Sequence, residues 1–141
     1  MTTEHTTIQL PVLAIELQLG ERYAGTVLDA DGNVKHHLVL LPNRPDADLT
    51  WQAAMDWAAS VGGQLPDRQE QALLYANCKP HLKPKWHWSR EEHHLNPKLY
   101  WSRKEHPKAS YAWFCTFTNG SHYGHPKSFE VSAVAVRQFP A

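Results

Sequence analysis

The chain has 141 residues and a formal net charge of zero, and this length fits one domain with a sizeable core. A hydrophobic content of 42% with 11% aromatic residues is typical of a globular protein and excludes an intrinsically disordered one. No apolar run approaches the ~18 residues that a membrane-spanning helix needs.

The first third of the chain predicts a β-hairpin over about residues 8–42. Two apolar runs, 23–28 and 36–41, flank the pair Asp31-Gly32. This pair tolerates the positive φ that a hairpin turn requires, so we expect the chain to reverse there. A loop with two prolines, residues 42–46, then ends the segment.

A first helix is predicted to begin at Trp51. The Thr50 hydroxyl can accept a hydrogen bond from an otherwise unpaired backbone N–H and so act as the N-cap. Gly62 and Gly63 end the helix, because glycine adopts the left-handed C-terminal conformation at little cost. The apolar residues recur at i, i+3, i+4 and i+7, on one helical face: Trp51, Ala54, Met55 and Ala58.

A second helix is predicted to begin at Asp67, with Glu70 three positions later. This spacing is the signature of a capping box, in which the two side chains bond each other's backbone N–H groups. The helix directs Leu73 and Leu74 inward and ends near Asn77.

Residues 79–108 are predicted to form a long basic loop interrupted by four prolines. They hold eight Lys or Arg against three acidic residues, whereas residues 1–78 hold ten acidic residues and four Lys or Arg. Five of the ten histidines also lie in the basic segment, so its charge rises as the pH falls through ~6.5. We expect a polarised surface unless the two segments mix in the folded structure.

This loop contains a short near-repeat. Trp88-Ser89-Arg90 is echoed by Trp101-Ser102-Arg103 at a spacing of 13 residues. Two short copies cannot form a solenoid, which needs at least three units. We interpret the repeat as a small tandem duplication that lengthens the loop.

The last third predicts strands again. Residues 111–118 alternate with a period of two but carry little polar content on either face, which favours a central, largely buried strand. Asn119-Gly120 forms the following turn, and residues 131–139 form the last strand. The helices and strands should bury their apolar faces in one core: Trp51, Met55, Leu74, Trp113 and Val136.

The order of motifs resembles a known family. The motifs are Leu49–Ala58, Gly62–Glu70, Tyr100–Ser102, Tyr111–Phe114, Asn119-Gly120 and Ala135–Arg137. This order resembles a bacterial and phage domain of unknown function that is related to the C-terminal domain of collagen-like adhesins and has a C-type-lectin-like fold.

The resemblance implies a single α+β domain over residues 1–141, with its motif-bearing region at 49–139. Two helices would pack on a mostly antiparallel twisted sheet, a long loop region would follow, and the last strand would return beside the first. The family pattern has one Trp-Ser element before the Tyr-Ala-Trp strand. Trp101 is our preferred occupant of that position, and Trp88 is the alternative.

No residue pattern supports a catalytic centre, a metal or another cofactor. His122 and His125 lack the further ligands that zinc needs at a fixed spacing, and the carboxylate cluster of a calcium site is absent. Cys115 lies within an aromatic run, where a thiol is usually an inert apolar group. Cys78 and Cys115, without an export signal, predict reduced thiols and a cytoplasmic protein, with a disulfide between them as the alternative.

The basic segment supplies the candidate interface. Aromatic faces beside cations suit single-stranded nucleic acid, sugars or an acidic protein surface. At least two of the four aromatic residues Trp86, Trp88, Tyr100 and Trp101 should be buried, because tryptophan is costly to leave in water. The turn region 119–127 is the second place to look. The candidate interface comprises Trp86, Trp88, Arg90, Tyr100, Arg103 and Lys104.

These observations predict a non-enzymatic protein that binds a macromolecular partner, preferably another protein. The phage or prophage setting, inside a bacterial cell, comes from the resemblance alone. The alternatives are an inhibitor of a bacterial defence or host process that occludes a nucleic-acid-binding surface, a virion or adhesin receptor-binding module, a nucleic-acid-binding accessory protein, and an unrecognised hydrolase.

Overall fold

The computed structural model describes residues 14–92 and 111–140. Two antiparallel three-stranded sheets, in the orders β1-β2-β6 and β3-β4-β5, accompany two α-helices and a short 3-10 helix at Lys79–His81. The predicted α+β class is confirmed, although two sheets replace the single sheet that we expected. The strands and helices are β1 (Arg22–Leu28), β2 (Val34–Leu40), α1 (Trp51–Ser60), α2 (Arg68–Cys78), β3 (Trp86–Glu92), β4 (Tyr111–Thr116), β5 (Ser121–Pro126) and β6 (Val136–Pro140).

The first sheet contains the predicted hairpin. β1 and β2 pair antiparallel, and Gly32 in the turn has a φ of 84°, which glycine adopts without steric cost. β6 pairs antiparallel with β2, with Leu38 opposite Gln138. The last strand therefore returns beside the first strands, as expected, although it begins at Val136 and not at residue 131. The part of the predicted hairpin before residue 14 lies outside the described residues.

Both helices begin as their sequences predict. The Thr50 hydroxyl accepts from the Ala53 amide at 3.4 Å, and Gly62 follows the end of α1 with a φ of 85°. At α2 the Glu70 amide donates to Asp67 Oδ1 at 2.7 Å, and the Asp67 amide donates to Glu70 Oε1 at 2.9 Å. This reciprocal pair satisfies two backbone donors that the first helical turn leaves unpaired.

In the described part of the chain the core consists of two hydrophobic clusters and not one. Leu74 and Val136 belong to the first cluster, whereas Trp51 belongs to the second and Met55 packs against it. The segment 131–135 contributes alternate residues to both clusters, with Val134 in the first and Ala133, Ala135 and Val131 in the second. An extended segment with apolar residues on both sides can divide a core in this way.

Trp113 does not join either cluster, so this part of the core prediction is wrong. Along β4 successive side chains point to opposite faces, and Phe114 and Ala112 take the face that packs in the second cluster. Trp113 is half-buried, and the Arg68 guanidinium at the start of α2 lies 3.6 Å from its ring centroid.

The basic segment is not entirely a loop, because its residues 86–92 form β3. Trp88 pairs with Phe114 on β4, is fully buried, and donates from its indole Nε1 to the Leu49 carbonyl at 2.8 Å. Strand β4 carries apolar residues on both faces and therefore pairs with a strand that also has apolar residues. Residues 86–88 of β3, Trp-His-Trp, provide them. Trp101, the preferred occupant of the family's Trp-Ser position, lies outside the described residues.

A buried carboxylate joins α2 to both sheets. Glu70 accepts from His36 on β2 at 2.8 Å, from Gln138 on β6 at 3.0 Å and from Arg90 on β3. Burial by itself would raise the pKa of the Glu70 carboxyl, but the Asp67 amide, Gln138 and the Arg90 cation together hold that pKa below its ordinary value. The carboxylate therefore stays charged within the fold.

The two neighbouring tryptophans of β3 provide a matched test of the core. We expect Trp88→Ala to lower the free energy of unfolding by ~3–5 kcal/mol, because it removes a large buried side chain. Trp86→Ala, at a position that is about half exposed, should cost about half as much, ~1.5–2 kcal/mol, because less apolar area is lost while the ring contacts with Phe114 and His125 are removed. Urea denaturation measures both values. Equal losses for the two variants would contradict the assignment of Trp88 to the core.

A second test concerns the buried carboxylate. Glu70→Gln should lower the free energy of unfolding by about 3 kcal/mol, because it leaves the half-buried Arg90 without its main counter-charge. The control is Glu91→Gln, an exposed carboxylate on the same strand as Arg90, which should change stability by less than about 0.5 kcal/mol. If both variants and the unchanged protein have the same urea midpoint, Glu70 does not stabilise the fold.

Candidate binding surface

One face of the second sheet carries a row of aromatic residues. In the register of β3, β4 and β5, Trp88, Phe114 and Tyr123 lie opposite one another. Because side chains alternate along a strand, Trp86 and His125 project from the same face. Trp51 and Ala54 of α1 pack in the same cluster as Trp88 and Phe114. Helix α1 therefore covers one end of this face.

Part of this face that α1 leaves uncovered forms an exposed aromatic surface. Trp86, Tyr123 and Phe129 are 47%, 53% and 52% exposed, while Phe114 beneath them is buried. The Trp86 ring stacks on Phe114 with centroids 4.8 Å apart, and the Tyr123 ring lies 5.6 Å from Phe114. We call Trp86, Tyr123, His125 and Phe129 the aromatic platform.

His125 holds the platform together. Its ring stacks on Phe129 at 4.3 Å and meets Trp86 edge-on at 5.4 Å. Burial lowers the pKa of the His125 imidazole, which favours the neutral ring among these aromatic neighbours. Aromatic pairs at such separations contribute ~0.5–1.5 kcal/mol beyond the area that they bury. The exposed rings are therefore held in place before any ligand binds.

The rim of the platform carries charges of both signs. Lys127 follows β5 directly. Its Nζ lies 4.3 Å from the centroid of the Trp51 ring and 3.0 Å from Glu92 Oε2. A small cavity of about 300 Å³ next to Trp86 is lined by Lys85 and by two acidic residues, Asp48 and Glu130. An apolar aromatic centre with a polar, mixed-charge rim is the usual anatomy of a protein–protein interface.

The structure divides the predicted interface residues. Trp86 belongs to the platform, whereas Trp88 is fully buried beneath α1 and cannot contact a partner. Tyr100, Arg103 and Lys104 lie outside the described residues.

Arg90 has a structural role in place of the predicted binding role. Its guanidinium donates to Glu70, to Asp67 Oδ2 at 3.2 Å and to the Leu65 carbonyl at 2.8 Å. Arg90→Glu is therefore expected to destabilise the fold. That substitution would place a third carboxylate beside those of Glu70 and Asp67, and the repulsion between the negative charges would destabilise the fold.

The sequence did not identify Tyr123, His125 or Phe129 as interface residues. It indicated only the turn region 119–127 as the second place to look, and His125 was considered only as a zinc ligand. Tyr123 and His125 are two positions apart on β5, a spacing that puts them on one face. Phe129 follows the strand, and its amide donates to the Pro126 carbonyl at 3.1 Å. This turn brings the Phe129 ring back to His125, and no spacing rule in the sequence would indicate that contact.

Burial favours the neutral forms of Cys78, Cys115 and His87. Burial raises the pKa of the Cys78 thiol, and it raises the pKa of Cys115 to about 11. Both cysteines are free and buried. Burial also lowers the pKa of His87 to about 4. No group of three His, Cys, Asp or Glu side chains that could hold a metal ion occurs among residues 14–92 and 111–140.

Comparisons with known proteins add no relative. No family model matches the chain, and no curated protein sequence matches it significantly. The resemblance to the adhesin-related domain therefore stays a prediction. None of the helices in the described part of the chain is long and apolar enough to cross a membrane.

The buried His87 makes stability depend on pH. Its Nδ1 donates to the Lys85 carbonyl at 2.8 Å, and its ring packs on Phe117. The folded-state pKa lies below the unfolded value of ~6.5, so the unfolded chain takes up the proton first. The contribution of His87 is complete above pH ~6.5 and is lost as the pH falls toward 4.

We therefore expect His87 to account for a loss of about 2 kcal/mol in the free energy of unfolding between about pH 7.5 and pH 5. His87→Gln keeps a hydrogen-bond donor but does not titrate, so its pH dependence should be shallower by this amount. Urea denaturation at the two pH values gives the difference. Parallel pH dependences of the two proteins would rule out a buried neutral His87.

Proposed function

We propose that this protein is a non-enzymatic binding protein that contacts a protein partner through the aromatic platform. The observation that carries the proposal is the exposure of about half of each of three large aromatic rings, Trp86, Tyr123 and Phe129. Tyrosine and tryptophan are enriched among the residues that contribute most to binding. Contiguous exposed apolar patches on soluble domains usually mark interaction sites.

A protein partner fits the platform better than a nucleic acid does. Single-stranded nucleic acid needs a rim of cations along its phosphates, but the cavity next to Trp86 is lined by the two carboxylates of Asp48 and Glu130 against the single cation Lys85. The rings are also mutually tilted. Trp86 stacks on Phe114 at an interplanar angle of 27° but meets His125 at 83°. An irregular aromatic surface of this kind suits side chains inserted between the rings.

We also propose that the fold is C-type-lectin-like and that the protein acts inside a bacterial cell infected by, or carrying, a phage. Two helices between a hairpin and a second sheet, with β6 returning to β2, support the fold. The two free cysteines support a reducing compartment, and the phage setting rests on the motif order alone. An experimental structure that includes residues 93–110 would test the fold by comparison with lectin-like topologies.

Variant-dependent capture tests the platform. The immobilised protein should retain a specific host protein from a bacterial lysate, and Trp86→Ala with Tyr123→Ala should abolish that retention. Each lost aromatic anchor is expected to cost ~2 kcal/mol or more of binding free energy. Tyr23→Ala is the matched control, because Tyr23 is also about half exposed but lies on the first sheet.

Circular dichroism must show that both variants are folded. The proposal fails if the platform variant and the Tyr23 variant retain the same proteins in equal amounts. It also fails if every retained protein is released by about 0.5 M salt, since that behaviour indicates charge contacts and not an apolar interface.

A further inference from the structure

A second surface, separate from the aromatic platform, combines a groove with positive charge. The groove has a volume of about 590 Å³ and runs between the loop that follows β2 and the segment that follows α2. Its polar lining is cationic or neutral, and none of the acidic side chains that the structure describes contributes to it. The lining comprises Gly20, Arg22, Leu40, Leu41, Pro42, Arg44, Pro80, His81, Leu82, Lys83 and Pro84.

Three residues of the groove lining are permanent cations: Arg22, Arg44 and Lys83. None of them has a counter-charge among residues 14–92 and 111–140. The ion pairs in this part of the chain use Arg90, Arg137, Lys127 and His36. Arg22 and Lys83 are exposed and make no side-chain hydrogen bond within the described ranges. Like charges that share a groove repel one another, so an anion bound between them would be stabilised.

Arg44 is fixed in a position to receive such an anion. Its guanidinium donates to the carbonyls of Leu41 at 2.7 Å, Asn43 at 2.7 Å and His81 at 3.1 Å. These bonds use three of the five N–H donors of a guanidinium and join the two walls of the groove. The group is half-buried, and burial lowers its pKa. A desolvated cation held only by neutral carbonyls is incompletely compensated.

The other lining residues are apolar. Three prolines and three leucines form the walls, and Gly20 closes one end so tightly that a Cβ there would lie 2.9 Å from the Pro42 side chain. A volume of this size is in the range of small-molecule sites, ~300–1,000 Å³, and exceeds the needs of an inorganic ion. The ligand should therefore have an organic part as well as an anionic group.

We propose that this groove binds an organic phosphate of nucleotide size, with the phosphate between Arg22, Arg44 and Lys83 and the organic part against the prolines and leucines. A phosphate monoester carries ~1.5–2 negative charges near pH 7 and accepts several hydrogen bonds from arginine at once. A single carboxylate would neutralise fewer of the three cations. The ligand is either a free nucleotide or the terminal phosphate of a single strand.

The test uses adenosine 5′-monophosphate as the probe and isothermal titration calorimetry as the readout. We expect sub-millimolar binding of the nucleotide, and binding at least about tenfold weaker for adenosine and for inorganic phosphate, because each lacks one half of the ligand. Arg22→Gln with Lys83→Gln should weaken nucleotide binding at least about tenfold, since two charge-assisted contacts are lost. Lys35→Gln, an exposed cation outside the groove, should leave it unchanged.

Further arms identify the source of the phosphate and separate this site from the platform. A 5′-phosphorylated oligothymidylate that binds more tightly than the nucleotide supports a single strand, and weaker binding supports a free nucleotide. Trp86→Ala with Tyr123→Ala should not affect nucleotide binding. The proposal is overturned if the nucleotide does not bind at millimolar concentration, if the groove variant binds it equally well, or if polyglutamate displaces it as readily as a phosphorylated ligand does.

Discussion

The buried carboxylate of Glu70 is the interaction on which the rest of the structure depends. It joins helix α2 to β2 through His36, to β6 through Gln138 and to β3 through Arg90, so it is the point where both sheets meet one helix. Burying a charge is costly, and a buried ion pair often adds little net stability. We expect it to favour this arrangement, because a packing that separated α2 from β3 would leave the buried Glu70 carboxylate without the Arg90 cation.

Fixing β3 beside α2 determines which tryptophan is buried and which is exposed. Arg90 is bound to the start of α2 through Asp67 and Glu70, and Gln71 donates to the carbonyls of His87 and Trp88. Trp88 then packs with α1 in the second cluster, whereas Trp86, two positions earlier on the same face of β3, stays about half exposed. The aromatic platform is thus a consequence of where β3 is held, and its rings rest on the buried Phe114.

The connection between the 3-10 helix and β3 serves both proposed surfaces. Pro84 lines the cationic groove and also the small cavity next to Trp86. Lys83 faces the groove, and Lys85 faces the cavity. The two surfaces nevertheless differ in chemistry. Within the described part of the chain, the groove has three cations without a counter-charge and no acid in its lining, whereas the platform has aromatic rings with carboxylates nearby. A single connection therefore separates the proposed anion site from the proposed protein-binding platform.

The sequence by itself determined the features that depend on neighbouring residues. The caps at Thr50 and Asp67, the turn at Gly32 and the two-sided strand β4 each follow from contacts within a few positions, and all were predictable. Only the tertiary structure decided that β3 forms within the basic segment, that Trp88 is buried, that Arg90 binds Glu70 and that the core divides in two. Those outcomes depend on residues 20 or more positions apart, such as Arg90 with Glu70 and Trp88 with Leu49, and local spacing carries no information about such pairs.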